Sequence, residues 1–151
     1  MADLKPILLV EDSPKDVELT LAALEQCQLA NAVIVVRDGA EALDYLFSRG
    51  SFANRETADP AVVLLDLKLP KVDGLEVLEQ IKKDAHLKGT PVVMLTSSRE
   101  ERDLVRSYSL GVNAFVVKPV AFDQFFEAIR DLGMFWAVLN EPPPRGSAPS
   151  P

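Results

Sequence analysis

The sequence predicts an α/β domain in which five parallel strands are covered by helices on both faces, and three observations carry that reading. Five short runs, 7–10, 32–36, 61–65, 92–95 and 114–117, are apolar at every position and bounded by proline, glycine or polar residues. A strand with one wet face alternates apolar and polar residues, whereas an unbroken apolar run suits a strand buried on both sides. The stretches between the runs carry apolar residues at intervals of three and four, the period of a helix face. Strand and helix signals alternate five times, and parallel neighbours need a crossover that a helix normally supplies. For five strands the flavodoxin-like, doubly wound order 2-1-3-4-5 with five helices is the natural arrangement.

Taken in order, the first strand leads to Ser13-Pro14, a cap residue followed by a proline suited to the first helical turn, and then to Val17, Leu21 and Leu24. After the second strand, Asp38 and Glu41 have capping-box spacing ahead of Leu43, Leu46 and Phe47. The polar stretch 48–59 is expected to be an exposed loop. Gly74, after the third strand, opens the pattern Leu75, Leu78 and Ile81. Ser98 and Glu101 repeat the capping-box spacing before a helix with Val105 and Tyr108 that ends near Gly111. A fifth helix runs from about Phe122 through Phe125, Ile129, Leu132 and Trp136. The domain is therefore expected over 5–139. Residues 140–151, rich in proline and serine, are expected to form an extended or disordered tail, or an arm.

Composition narrows the function. A chain of 151 residues, 48% hydrophobic and 26% charged, suits one domain with its own core. No apolar run approaches the roughly 20 residues that span a bilayer, and Met1-Ala2-Asp3-Leu4-Lys5 lacks the features of a signal peptide. A cytoplasmic protein is expected, with no membrane partner. The single cysteine, Cys27, excludes an internal disulfide and a thiolate-rich metal site, and reads as a small side chain near a helix end. A net charge of -7 opposes binding to phosphate backbones, so nucleic acid is not an expected partner.

In an open parallel sheet the ligand crevice lies beyond the carboxyl ends of the strands. Here those ends read Glu11-Asp12, Asp66, Thr96-Ser97 and Lys118-Pro119, on strands one, three, four and five. In the order 2-1-3-4-5 these strands are neighbours, so three carboxylates, a hydroxyl and an ammonium converge. Three close carboxylates raise one another's pKa and call for a cation. With oxygen ligands alone, that cation is magnesium rather than zinc, and it characteristically keeps waters and accepts phosphate oxygens. Asp66, placed centrally, is a nucleophile for phosphorus. Lys118 would offset charge on the transferring group, and the Thr96 hydroxyl would donate to one of its oxygens.

Each element alone is weak: an acidic pair after a strand commonly caps a loop, and a Lys-Pro step is commonly a turn. Their joint placement is what is specific. Val10-Glu11-Asp12-Ser13, the stretch Leu64-Leu65-Asp66-Leu67-Lys68-Leu69-Pro70-Lys71-Val72-Asp73-Gly74, Met94-Leu95-Thr96-Ser97-Ser98 and Val117-Lys118-Pro119 resemble, in order and spacing, the motifs of receiver domains of two-component response regulators. The resemblance covers about 5–138. It implies that Asp66 is the phosphoacceptor for a histidine kinase, and that Glu11, Asp12, Asp66 and the backbone carbonyl of Lys68 hold magnesium. It also implies that Thr96 is the switch hydroxyl, that Lys118 contacts the phosphoryl group, and that the bond to Pro119 is cis. Phe115 matches the switch aromatic, whose ring follows the hydroxyl inward and reshapes the surface of the fourth helix and fifth strand. Lacking a hydroxyl, Phe115 is expected to choose between rotamers by packing alone.

Such a chain is expected to be a signalling protein rather than an enzyme in its own right, assisting only its own phosphoryl transfer and autodephosphorylation. With only the tail after the receiver, its output is expected through protein contacts. Met134-Phe135-Trp136-Ala137-Val138-Leu139 is apolar on every side of a helix, where a surface helix should bury one stripe. A homodimer through Phe135, Trp136, Val138 and Leu139 is therefore expected, with the proline-rich continuation as an arm. The long connection after the second helix, the Leu-Asp-Leu-Lys-Leu-Pro acceptor motif and the aromatic C-terminal stretch resemble stand-alone regulators that partner bacterial phytochromes, which implies a phytochrome-type histidine kinase as donor. The rival reading is a receiver-shaped scaffold that dimerises or docks regardless of phosphorylation, and a broken acidic site would mark it. A haloacid-dehalogenase-type phosphatase needs a second aspartate two residues beyond the first, where this chain has Lys68. No glycine-rich phosphate loop is present. His86, the only histidine, lies in a polar stretch and reads as a surface residue.

Overall fold

The computed structural model describes residues 5–27, 31–55, 59–108, 110–112 and 114–131. Its elements are β1 (Ile7–Val10), α1 (Pro14–Gln26), β2 (Val33–Val36), α2 (Gly39–Leu46), a 3-10 turn (Gly50–Phe52), β3 (Val62–Asp66), α3 (Gly74–Lys83), β4 (Val92–Thr96), α4 (Arg99–Ser107), β5 (Ala114–Val117) and α5 (Phe122–Asp131). The strands form one parallel sheet in the order β2-β1-β3-β4-β5. The expectations for Leu132, for Phe135, Trp136, Val138 and Leu139 and for the tail lie outside the described residues.

Successive strand residues point to opposite faces, so the apolar runs feed two separate cores. Leu8, Val10, Val63, Leu65, Val92 and Met94 pack with residues of α2, α3 and α4, among them Leu43, Leu78 and Val105. Ile7, Leu9, Val62, Leu64, Val93 and Leu95 pack with α1 and α5 through Val17, Leu24, Phe125 and Ile129. That division is why every strand position short of the carboxyl ends is apolar.

Four helices begin on a side-chain cap. Ser13, Asp38, Asp73 and Ser98 each accept from the backbone N–H three residues on, satisfying donors that the first turn leaves unpaired. The two glutamates read as capping-box partners reach one residue further back than the motif requires: Glu41 accepts from Arg37 N–H at 2.8 Å and Glu101 from Ser97 N–H at 2.7 Å. Burial would raise the Glu101 carboxyl, but that N–H and the Lys68 ammonium outweigh it and hold its pKa below the usual range. Cys27 is the buried C-cap of α1.

Three expectations need correction. The stretch 48–59 is not simply an exposed loop, because the Phe52 ring meets Tyr45 edge-on at 5.1 Å and the Arg55 guanidinium lies 4.5 Å over the Tyr45 ring. The Arg55 Nε donates to Tyr45 O at 2.6 Å, tying the chain back onto α2. Tyr108 does not continue the buried stripe of α4; it is the C-cap and is 56% exposed. Nor does packing alone hold Phe115, whose ring lies 5.1 Å under the Arg106 guanidinium.

Candidate functional site

Parallel register brings the strand ends to one edge. Asp66 is the last residue of β3 and Thr96 the last of β4, and Glu11 and Lys118 directly follow β1 and β5. Lys118 N–H donates to Thr96 O at 2.7 Å, which fixes the start of the β5–α5 connection, and the Lys118–Pro119 bond is cis.

The Lys118 ammonium lies 3.1 Å from Asp66 Oδ2 and 3.2 Å from Glu11 Oε1. It also reaches Asp16 Oδ2 at 3.2 Å, a residue of the first turn of α1 that the sequence reading did not single out. The only sequence signal for Asp16 was an acid near a helix N-terminus, which ordinarily means favourable interaction with the helix dipole. Its second role exists only because Lys118, 102 positions away, folds against it.

Glu11 is fully buried and Asp66 nearly so, while Asp12 is exposed. Burial, and then the charge of Asp66, push the Glu11 carboxyl up to about 7, against the opposing effects of Ser13 N–H and Lys118. Burial alone would lower the Lys118 ammonium, but the carboxylates of Asp66 and Glu11 hold its pKa above the usual lysine value. A buried carboxylate shifted in this way, beside a second one, is held ready for a cation. Oxygens of Glu11, Asp12 and Asp66 lie within 4.8 Å of one another. An all-oxygen set of this size fits a hard divalent ion.

Thr96 is fully buried and its Oγ1 has no hydrogen-bond partner among the described residues. A buried hydroxyl left unpaired costs roughly 1–3 kcal/mol, so this one calls for an explanation, and a ligand oxygen arriving at the site is the simplest. Lys68, whose carbonyl the resemblance implicates, follows two residues after Asp66, and its exposed side chain pairs with Glu101 at 3.2 Å.

The loop carrying these groups is held by two close approaches. A Cβ on Gly74 would stand 2.2 Å from the Asp66 carbonyl oxygen, and one on Gly39 would stand 1.8 Å from that of Val72. Only glycine permits either contact. Phe115 sits on β5 opposite Met94, two residues from Thr96. The Arg106 guanidinium lies 5.1 Å over its ring. Packing alone therefore does not hold Phe115, because a cation–π contact holds it as well. His86 stays on the surface, paired with Asp59 and with no residue of the site.

A family model described as the response regulator receiver domain matches residues 7–130. Among solved structures, the bacteriophytochrome response regulator AtBRR is 74% identical with a TM-score of 0.87, covering 93% of this chain and 100% of that one. The bacteriophytochrome response regulator RtBRR is 69% identical with a TM-score of 0.86, covering 95% and 86%. Response regulator Rcp1 of Synechocystis sp. is 40% identical over 132 residues, 87% of this chain and 88% of that protein. Its Mn(2+)-bound crystal structure superposes with a TM-score of 0.71 over 88% of this chain and 94% of that one.

Proposed function

The chain belongs to the response regulator receiver domain family, a family of phosphoryl-accepting signalling proteins, and from that membership and the strand-end geometry we propose that Asp66 is its phosphoacceptor. The observation that carries this reading is the convergence on one carboxylate: Lys118 at 3.1 Å from Asp66, with Glu11 and Asp12 completing an oxygen set around it.

In the proposed reaction an Asp66 carboxylate oxygen attacks the phosphorus of a phosphohistidine. The O–P bond forms as the P–N bond breaks, and the departing imidazole nitrogen takes a proton from solvent. Lys118 keeps its proton throughout, because the surrounding carboxylates stabilise the ammonium, and so offers fixed positive charge to the transferred oxygens. The Thr96 hydroxyl, unpaired beforehand, donates to one of them. Magnesium held by Glu11, Asp12, Asp66 and the Lys68 carbonyl would neutralise the carboxylates and the equatorial phosphoryl oxygens. The Mn(2+)-bound form of Rcp1 supports a divalent ion in this family.

The names of AtBRR and RtBRR, at 74% and 69% identity, support a bacterial phytochrome as the kinase that donates the phosphoryl group. We further propose a cytoplasmic location, output by protein contacts that depend on phosphorylation, and a homodimer through Phe135, Trp136, Val138 and Leu139. Incubation with acetyl phosphate and magnesium should add one acid-stable, base-labile phosphoryl group, read by intact mass. Asp66→Asn should abolish it, and full labelling of that variant would remove Asp66 from the role. A phosphotransfer profile against the host's histidine kinases tests the donor.

A further inference from the structure

Asp16 touches the site without belonging to its oxygen set. An ammonium has three N–H donors, and Lys118 has a carboxylate for each: Asp66 Oδ2 at 3.1 Å, Glu11 Oε1 at 3.2 Å and Asp16 Oδ2 at 3.2 Å. Glu11 and Asp66 also stand in the group of three whose oxygens lie within 4.8 Å of one another, and Asp16 does not. The second Glu11 oxygen, Oε2, already accepts from Ser13 N–H at 3.2 Å. The ammonium therefore occupies oxygens that a hard divalent cation would use. Two cations on the same oxygens repel, so Lys118 must release them when a metal binds.

The ordinary role of Asp16 is filled by another residue. It is the third residue of α1, after the cap Ser13, and in a capping box the acid at that position turns back to the cap residue's own N–H. Here Ser13 N–H donates to Glu11 instead. Among the described residues, Lys118 is the cation that pairs with Asp16. Asp16 is also the most hydrated of the three partners, with its side chain 28% exposed where Glu11 is 0% and Asp66 5%. A carboxylate so placed keeps its charge, and its hold on the ammonium, whatever happens deeper in the site.

We propose that Asp16 is a positioning residue that retains the Lys118 ammonium when a divalent cation takes Glu11 and Asp66, keeping it beside the acceptor for the incoming phosphoryl oxygens. The proposal rests on the reading of Asp66 as acceptor and of Glu11, Asp12 and Asp66 as its metal site. With Asp16 present, Lys118 gives up two bonds and keeps one charged partner. Without it, releasing Glu11 and Asp66 leaves a largely buried ammonium unpaired, which is costly, and metal binding bears that cost. Asp16 is not a ligand, and its effect passes through Lys118.

Magnesium titration of the full chain by isothermal calorimetry tests this in a cycle of Asp16→Asn, Lys118→Met and the double variant. Asp16→Asn should weaken magnesium binding on the order of fivefold. Asp16→Glu, which keeps the carboxylate, should stay close to wild type. In the Lys118→Met background, Asp16→Asn should change the affinity by less than about twofold. At saturating magnesium, acetyl phosphate should label Asp16→Asn several times more slowly than wild type. Equal weakening in both Lys118 backgrounds would make Asp16 a general source of negative charge and overturn the proposal. Wild-type affinity in Asp16→Asn, or a glutamate variant as weak as the asparagine one, would overturn it too. Full labelling of Asp66→Asn would instead sink the reading of the acceptor, and the magnesium cycle, measured without a phosphodonor, is separate from that result.

Discussion

Asp12 is the residue at which the proposed metal site can be tested through stability. It is exposed beside a buried glutamate and a nearly buried aspartate, and Lys118 is spread over Glu11, Asp16 and Asp66 without reaching it. One of its carboxylate oxygens lies within 4.8 Å of oxygens of Glu11 and Asp66, and if these three are held together for a metal, that proximity should cost the metal-free protein stability. Asp12→Asn should raise the melting temperature in EDTA by about 3 °C and abolish the further rise that magnesium gives the wild type. Thermal scans with and without the metal check both, and a lower melting point in EDTA would contradict the electrostatic account. Lys118 and Asp66 were both legible as strand-end residues. Asp16 and Arg106 were not, because a helix residue's partner depends on which strand lands beside it.

At the level of elements, the acceptor loop depends on glycine contacts rather than on glycine's conformational freedom. Gly74→Ala forces a Cβ against the Asp66 carbonyl at 2.2 Å, an overpacking expected to cost about 1–3 kcal/mol. The urea midpoint should fall, and labelling of Asp66 should slow because the strand end shifts; a variant with wild-type values of both would show that the loop can yield freely. The caps are a milder case. Ser98 Oγ accepts from Glu101 N–H at 3.2 Å, and Ser98→Ala should cost about 1 kcal/mol, seen as a lower denaturation midpoint with labelling retained. The boundaries of β1 and β5 coincide with the apolar runs that predicted them, and those of the other strands differ by one residue. Most described residues of the stretch 48–59 are exposed, as expected, but its composition did not show that the Arg55 guanidinium stacks on Tyr45 and bonds its carbonyl.

For the whole molecule, the question is which part of the chain passes its signal to other proteins. The sequence offers one candidate contact, the apolar stretch 134–139. If it is a dimer contact, sedimentation at micromolar concentration should give twice the chain mass, and Phe135→Ala with Trp136→Ala should give a monomer. A wild-type monomer would remove the dimer.

Sequence alone determined the architecture and which residues stand at the strand ends. Short unbroken apolar runs that alternate with helical spacing suit strands covered on both faces, and the parallel order then sends the residues after each run to one edge. That inference needs no coordinates, since side-chain period and crossover geometry are properties of any chain. Tertiary structure decided the rest: that Lys118 is shared among three carboxylates, that the Thr96 hydroxyl is buried without a partner among the described residues, and that a guanidinium covers Phe115. Charge sharing, burial and ring contacts depend on distances of a few ångströms between residues far apart in sequence, and neither periodicity nor spacing encodes those distances.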